Sequence, residues 1–121
     1  MTLKECISIV DSLCPNLMDN KTKTQWISNA EGRLKDLILK EYEDIQLPPD
    51  EYDPTEGDTK LFLHGHWAEY YVHYVMSQIY LALHEQKHAN NEELLYSEIF
   101  ENYRIHCAQY YKRKSYKFGV R

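Results

Sequence analysis

Leu3, Ile7, Val10 and Cys14 recur at steps of three and four residues, the spacing of one helix face, and predict a first helix over residues 3–13. Thr2 stands three residues before Glu5, the capping-box spacing in which each side chain satisfies a backbone N–H at the helix start. Pro15-Asn16 ends the element. A second repeat, Trp26, Ile27, Ala30, Leu34, Leu37, Ile38 and Tyr42, predicts a helix over residues 24–42 with Thr22 or Asn20 near its cap. Gly32 lies inside it at a cost of roughly 1 kcal/mol relative to alanine. Close approach of another backbone would explain it; the bland alternative is an exposed glycine without consequence.

The periodicity then stops. Residues 43–58 hold seven acids and no basic residue, broken by Pro48-Pro49 and Asp53-Pro54. Such a stretch reads as an exposed acidic loop, here bounded at 43–60, serving either as a solvated linker or as a docking strip for a basic partner. Leu61-Phe62-Leu63 is a short apolar run that predicts an extended segment pinning the loop to the core.

A third helix is predicted from Trp67 to His88, with apolar residues on two sides. Val72, Val75, Met76, Ile79 and Leu83 form one face, Trp67, Tyr70, Tyr71, Tyr74 and Leu81 the other, and His73, Ser77, Tyr80, His84 and Lys87 a polar strip. A helix apolar on two sides is central in its bundle or shared with a neighbour. Ala89-Asn90-Asn91 predicts a hairpin turn, because asparagine tolerates left-handed backbone at one helix end and caps the next. The fourth helix carries Leu95, Tyr96, Ile99, Phe100, Tyr103, Cys107, Tyr110 and Tyr111 on a broad stripe and is expected to reach Lys114. Residues 112–121, with five basic residues and no acid, read as a flexible tail. The expected fold is all-α: one domain over residues 1–121, about four helices, with a long C-terminal antiparallel helical hairpin.

Composition narrows the functional classes. At 121 residues the length suits one domain. The net charge of −5 argues against generic nucleic-acid binding, which needs a broad basic surface. Eleven of the sixteen aromatics are tyrosines, which suit contact surfaces that are wet until assembly. Cys6, Cys14 and Cys107 form no C-x-x-C pair and are odd in number, so they read as buried thiols in a reducing compartment. No apolar signal core and no run of about 20 apolar residues is visible, so no membrane is expected and the chain is expected in a cytoplasm-like environment.

Residues 84–88, His-Glu-Gln-Lys-His, match H-E-x-x-H, in which histidines four apart on a helix bind zinc and the glutamate acts as general base. His84, His88 and Glu85 would be the site, with Glu98, Glu101 or His106 as a third ligand, and a zinc-dependent hydrolase is the enzyme alternative. The motif falls on the polar strip at a helix end, without the dry cavity that zinc hydrolysis requires, so two solvated histidines are the preferred reading. His64-Gly65-His66 lacks a cysteine or acidic cluster beside it. No Gly-rich phosphate loop, nucleophile elbow or Ser-His-Asp arrangement is legible, and the expectation is a non-enzyme with no cofactor. A small helical DNA-associated or regulatory protein using the basic tail is a further alternative.

Leu61-Phe62-Leu63, Tyr70-Tyr71-Val72-His73-Tyr74, Gln78-Ile79, Glu85, Asn90-Asn91, and then Tyr103, Tyr110-Tyr111 and Lys112-Arg113 occur in an order that resembles the head–tail connector (adaptor) proteins of tailed phages and prophages of Gram-positive bacteria. Upstream, Pro15-Asn16, Trp26-Ile27 and Glu31-Gly32-Arg33 resemble the same family's early break and its Trp–acid–Gly helix. Ala89 stands where the family usually has an aromatic, and His64-Gly65-His66 where it usually has a proline. The resemblance implies a structural virion protein, made in the host cytoplasm and placed at the head–tail interface. It would form a ring of typically twelve subunits beneath the portal and carry the next connector, stopper or tail-completion protein. DNA would pass through its channel without sequence-specific binding. On that view Trp67, Tyr70 and Tyr74 lie near the subunit interface, with a plain buried core as the alternative, and Lys112, Arg113, Lys114, Lys117 and Arg121 meet the portal or a neighbouring subunit.

Overall fold

The computed structural model describes residues 1–115. Among them are four α-helices, α1 (Leu3–Leu13), α2 (Asn20–Leu37), α3 (Glu69–Ala82) and α4 (Gln86–Tyr110), with 3-10 turns at Leu39–Glu41 and Gly65–Ala68. The fold is a small all-α bundle; pairing of extended backbone among the described residues is confined to the isolated bridges Thr2–Lys60 and Tyr42–Arg113.

α1 begins and ends where its periodicity predicts. Thr2 and Glu5 form the reciprocal capping box, at 3.1 Å in each direction. The next two free N–H groups are taken by the loop, Leu3 N donating to Thr59 O at 2.9 Å and Lys4 N to Gly57 O at 2.8 Å. The helix start is therefore fully satisfied, half by its own cap and half by residues far along the chain. Asn16 makes the break after α1, its amide donating to Cys14 O and to Asp11.

α2 departs from expectation at both ends and in its rotation. Asp19, rather than Thr22 or Asn20, is the cap, accepting from Thr22 N at 2.8 Å. The chain tightens into the 3-10 turn after Leu37, yet Ile38, Leu39 and Tyr42 stay buried, so the apolar pattern runs on past the α-helix. The inward face centres on Ile27, Ala30, Glu31 and Leu34 and includes Lys23, Thr24, Ser28 and Lys35, while Leu37 is exposed. A side chain at Gly32 would meet nothing within 4 Å, so no backbone approaches there. The close approach is at Gly57, where a Cβ would come within 3.0 Å of the Lys4 Cβ.

The acidic segment is not a free loop. Pro48 and Tyr52 are buried, Tyr52 N donates to Ser28 Oγ at 2.9 Å, and Lys35 Nζ donates to Pro48 O at 3.2 Å and pairs with Asp50. Its acids face water, while its apolar residues and backbone amides hold it to α2 and α1. Leu61 and Leu63 are buried as expected, and Leu61 N donates to Met1 O at 3.0 Å.

α3 is the central helix, with Tyr70, Tyr71, Val72, Tyr74, Val75, Met76, Ser77 and Ile79 all buried. It ends at Ala82, short of the expected end at His88. His84, at φ +60°, is the left-handed residue of a Schellman motif: Glu85 N donates to Tyr80 O at 2.9 Å and His84 N to Leu81 O at 3.1 Å. The reversal is therefore at Leu83–His84–Glu85, and Asn90 and Asn91 lie within α4, where Asn90 accepts from Gln86 at 2.8 Å. The reason is register. A helix starting at Gln86 turns Ala89, Tyr96, Phe100, Tyr103 and Cys107 inward, and burying these outweighs the local turn preference of two asparagines.

Candidate interaction surface

Tyr70 anchors a column of rings between α3 and α4. Its centroid lies 6.2 Å from that of Tyr96 and 5.8 Å from that of Phe100, and Tyr74 approaches Tyr96 at 5.1 Å. Such offset and edge-on pairs each add about 1 kcal/mol beyond burial. The Tyr70 hydroxyl donates to Ala30 O at 2.8 Å, and the Arg33 guanidinium sits 5.8 Å over both Tyr96 and Phe100. Tyr70 and Tyr74 thus pack inside the chain, Tyr70 with no exposed surface and Tyr74 with little. Burial also pushes the Tyr70 hydroxyl well above its ordinary range.

Trp67 differs. It is half-buried, edge-on to Tyr103 at 5.2 Å and tilted against His106 at 5.4 Å, and it lines an open groove of about 510 Å³. One wall is the acidic segment, through Ile45, Leu47, Pro48, Pro49 and Tyr52; the other is Phe62, Trp67, Tyr103 and Tyr111, with Asp44, Lys60 and His64 also on the lining. A concave site with aromatic walls and a few polar groups can take an apolar side chain or a short segment.

The basic segment is pinned at its beginning. α4 ends at Tyr110, and the chain pairs with residues 41–43: Glu43 N donates to Lys112 O at 2.9 Å and Lys114 N to Glu41 O at 2.8 Å. Arg113 bonds the Glu41 carboxylate at 3.1 Å and lies 5.6 Å over the Tyr42 ring, and Lys112 Nζ is 3.8 Å from Glu43. The acidic and basic stretches thus meet within one chain. Lys112, Arg113 and Lys114 remain exposed, while Lys117 and Arg121 lie outside the described residues.

The H-E-x-x-H premise fails on backbone geometry. His84 is the turn residue and Glu85 the residue before α4, so only His88 of the three is on a helix, where it stacks on Tyr80 at 5.1 Å. No group of three His, Cys, Asp or Glu suited to a metal ion occurs among the described residues. The cysteines are buried and unpaired with one another, and burial raises the Cys6 thiol to about 12.

Sequence periodicity missed the polar stripe on the inward face of α2. Glu31 is fully buried and neither carboxyl oxygen has a hydrogen-bond partner. Burial raises its pKa to about 7, opposed by the nearby Tyr71 hydroxyl and the Lys35 ammonium. The available signal was Thr24, Ser28, Glu31 and Lys35 recurring at steps of three and four, which resembles a solvated face.

Comparison with protein-family models, with curated proteins and with solved structures returned no significant match. No helix among the described residues is long and apolar enough to cross a membrane.

Proposed function

We propose that this chain is a structural subunit of a phage neck, a head–tail connector that forms a ring under the portal and carries the next connector or tail-completion protein. The observation that carries the reading is the ordered set of features from Pro15-Asn16 through Trp26-Ile27, Glu31-Gly32-Arg33 and the two aromatic helices to Lys112-Arg113. Its support is that two of these stretches meet at one ring cluster. Arg33 lies over Tyr96 and Phe100, the rings that pack on Tyr70, so two of the residues that make the resemblance, Arg33 and Tyr70, help fix how α2, α3 and α4 sit together.

Arg113 and Lys112 of the basic segment are paired with Glu41 and Glu43, which favours docking to protein over binding to duplex DNA. Trp67, exposed in part at the groove, is the aromatic through which a neighbouring subunit or the portal would make contact. The test is the solution mass of the purified chain alone and after mixing with the portal protein encoded beside it. A ring or a stoichiometric complex is expected, together with loss of virion assembly in a chain ending at Tyr111. The reading falls if no ring or complex forms at any concentration and the shortened chain assembles virions normally.

A further inference from the structure

α2 presents Ser28, Glu31 and Lys35 in succession to the interior, and the two outer members hold the acidic segment. Ser28 Oγ accepts Tyr52 N at 2.9 Å; Lys35 Nζ donates to Pro48 O at 3.2 Å and pairs with Asp50. Between them the Glu31 carboxyl is wholly buried without a partner. The groups facing it are Lys35 from its own helix, Tyr52 from the acidic segment, Tyr70 and Tyr71 from α3, and, further off, Tyr103 from α4. Tyr70 already donates to Ala30 O; the Tyr71 oxygen accepts from Leu63 N at 2.9 Å, which leaves its O–H free toward Glu31 but supplies no charge to balance an ionised carboxyl. Lys35 is the cation in this group. It stands four residues after Glu31, the favourable order for a carboxylate–ammonium pair on a helix.

The two possible partners of Lys35 are unequal. The Asp50 side chain is 93% exposed, so water replaces the lysine at little cost. An ionised Glu31 has no water to turn to, and an unpaired buried charge is heavily penalised. We infer that Glu31, Lys35 and Asp50 form a proton-operated latch for the segment 45–52. With the proton on Glu31, Lys35 clasps Pro48 O and Asp50. When the proton leaves to solvent, the Lys35 ammonium turns to the Glu31 carboxylate and releases both. The elevated proton affinity that burial gives Glu31 sets the change near neutral pH. Residues 45–52 make one wall of the 510 Å³ groove, so the latch governs whether that groove is formed. The inference stands independently of the connector reading.

The experiment is amide hydrogen exchange at Tyr52 in the full-length chain, corrected for intrinsic rates, between about pH 5.5 and about pH 8.5. Protection at Tyr52 should fall about tenfold across that range, with a midpoint near the Glu31 value. Glu31→Gln should remove the dependence; it keeps all six histidines, so a change driven by histidine would survive in it. Asp50→Asn, at an exposed position that leaves the core untouched, should move the midpoint down, because Lys35 is then freer to stabilise the ionised carboxyl. Flat protection in the natural sequence, an undiminished dependence in Glu31→Gln, or an unmoved midpoint in Asp50→Asn would each overturn the latch.

Discussion

Between α3 and α4 the interior is a column of rings, whereas the face that α2 turns inward carries polar groups at Lys23, Thr24, Ser28, Glu31 and Lys35. Both are buried, but they stabilise in different ways. The rings gain from area removed from water and from edge-on contact, terms that do not change with proton concentration. The polar stripe gains only from specific partners. Ser28 and Lys35 have theirs; Thr24 Oγ1 and both Glu31 oxygens do not. One region fixes the fold unconditionally, and the other holds a loop on terms set by solution conditions.

The largest expected effect breaks the column. Tyr70→Ala removes a fully buried ring that touches Tyr71, Tyr74, Tyr96 and Phe100 and should cost about 4 kcal/mol in urea unfolding. Tyr70→Phe, which loses only the bond to Ala30 O, should cost about 1 kcal/mol, at any pH between 5 and 8 in roughly equal measure.

The next effect belongs to the stripe and depends on pH. Folding raises the Glu31 carboxyl from 4.5 to about 7, so the folded state holds the proton more tightly. Below 4.5 both states are protonated and the group exacts nothing; as pH rises through about 7 the folded state loses stability relative to the unfolded one. Glu31→Gln should therefore be nearly neutral at about pH 4 and stabilising by about 2 kcal/mol at about pH 8.5, read as denaturant midpoints across a pH series. Equal effects at both ends of the series would show that the stripe is no more conditional than the column.

The smallest effects are a matched pair at glycines. Gly57→Ala should destabilise by about 1 kcal/mol, since its Cβ meets the Lys4 Cβ at 3.0 Å at the start of a capped helix. Gly32→Ala, with open space and helical backbone, should stabilise by up to about 1 kcal/mol. Thermal melting of the two variants side by side checks the opposite signs.

Much of the fold was legible from pattern. α1 was readable to the residue because its cap, its apolar spacing and its break all agree. The inward positions Tyr96, Phe100, Tyr103 and Cys107 of α4 were legible too, but Leu95, Tyr110 and Tyr111 of the expected stripe are exposed, the helix ends at Tyr110 rather than Lys114, and its beginning was not legible. Asn90-Asn91 carries the stronger local turn signal, but the inward register of Ala89, Tyr96 and Phe100 requires a helix already formed there, and histidine can occupy the left-handed position that ends α3. The acids at 43–58 correctly indicated exposure of their side chains and concealed that Tyr52 and Pro48 tie the segment down. The stripe on α2 was least legible. A periodic set of polar residues reads as a solvated face, and only the loop packed over it reverses that meaning.

The clasp on α1 also has a consequence in time. Leu3 N and Lys4 N are bonded by Thr59 and Gly57, and Leu61 N returns to Met1 O, so the first helix is closed by backbone far downstream of it. At the other end Arg113 returns across 72 positions to Glu41. A bundle of local helices would fold on neighbour contacts alone, but these two closures require long stretches of chain to be gathered first. On the ribosome, α1 keeps an unfinished start until the segment through Leu61 has emerged, and the seam at residues 41–43 stays open until residues 112–114 have followed.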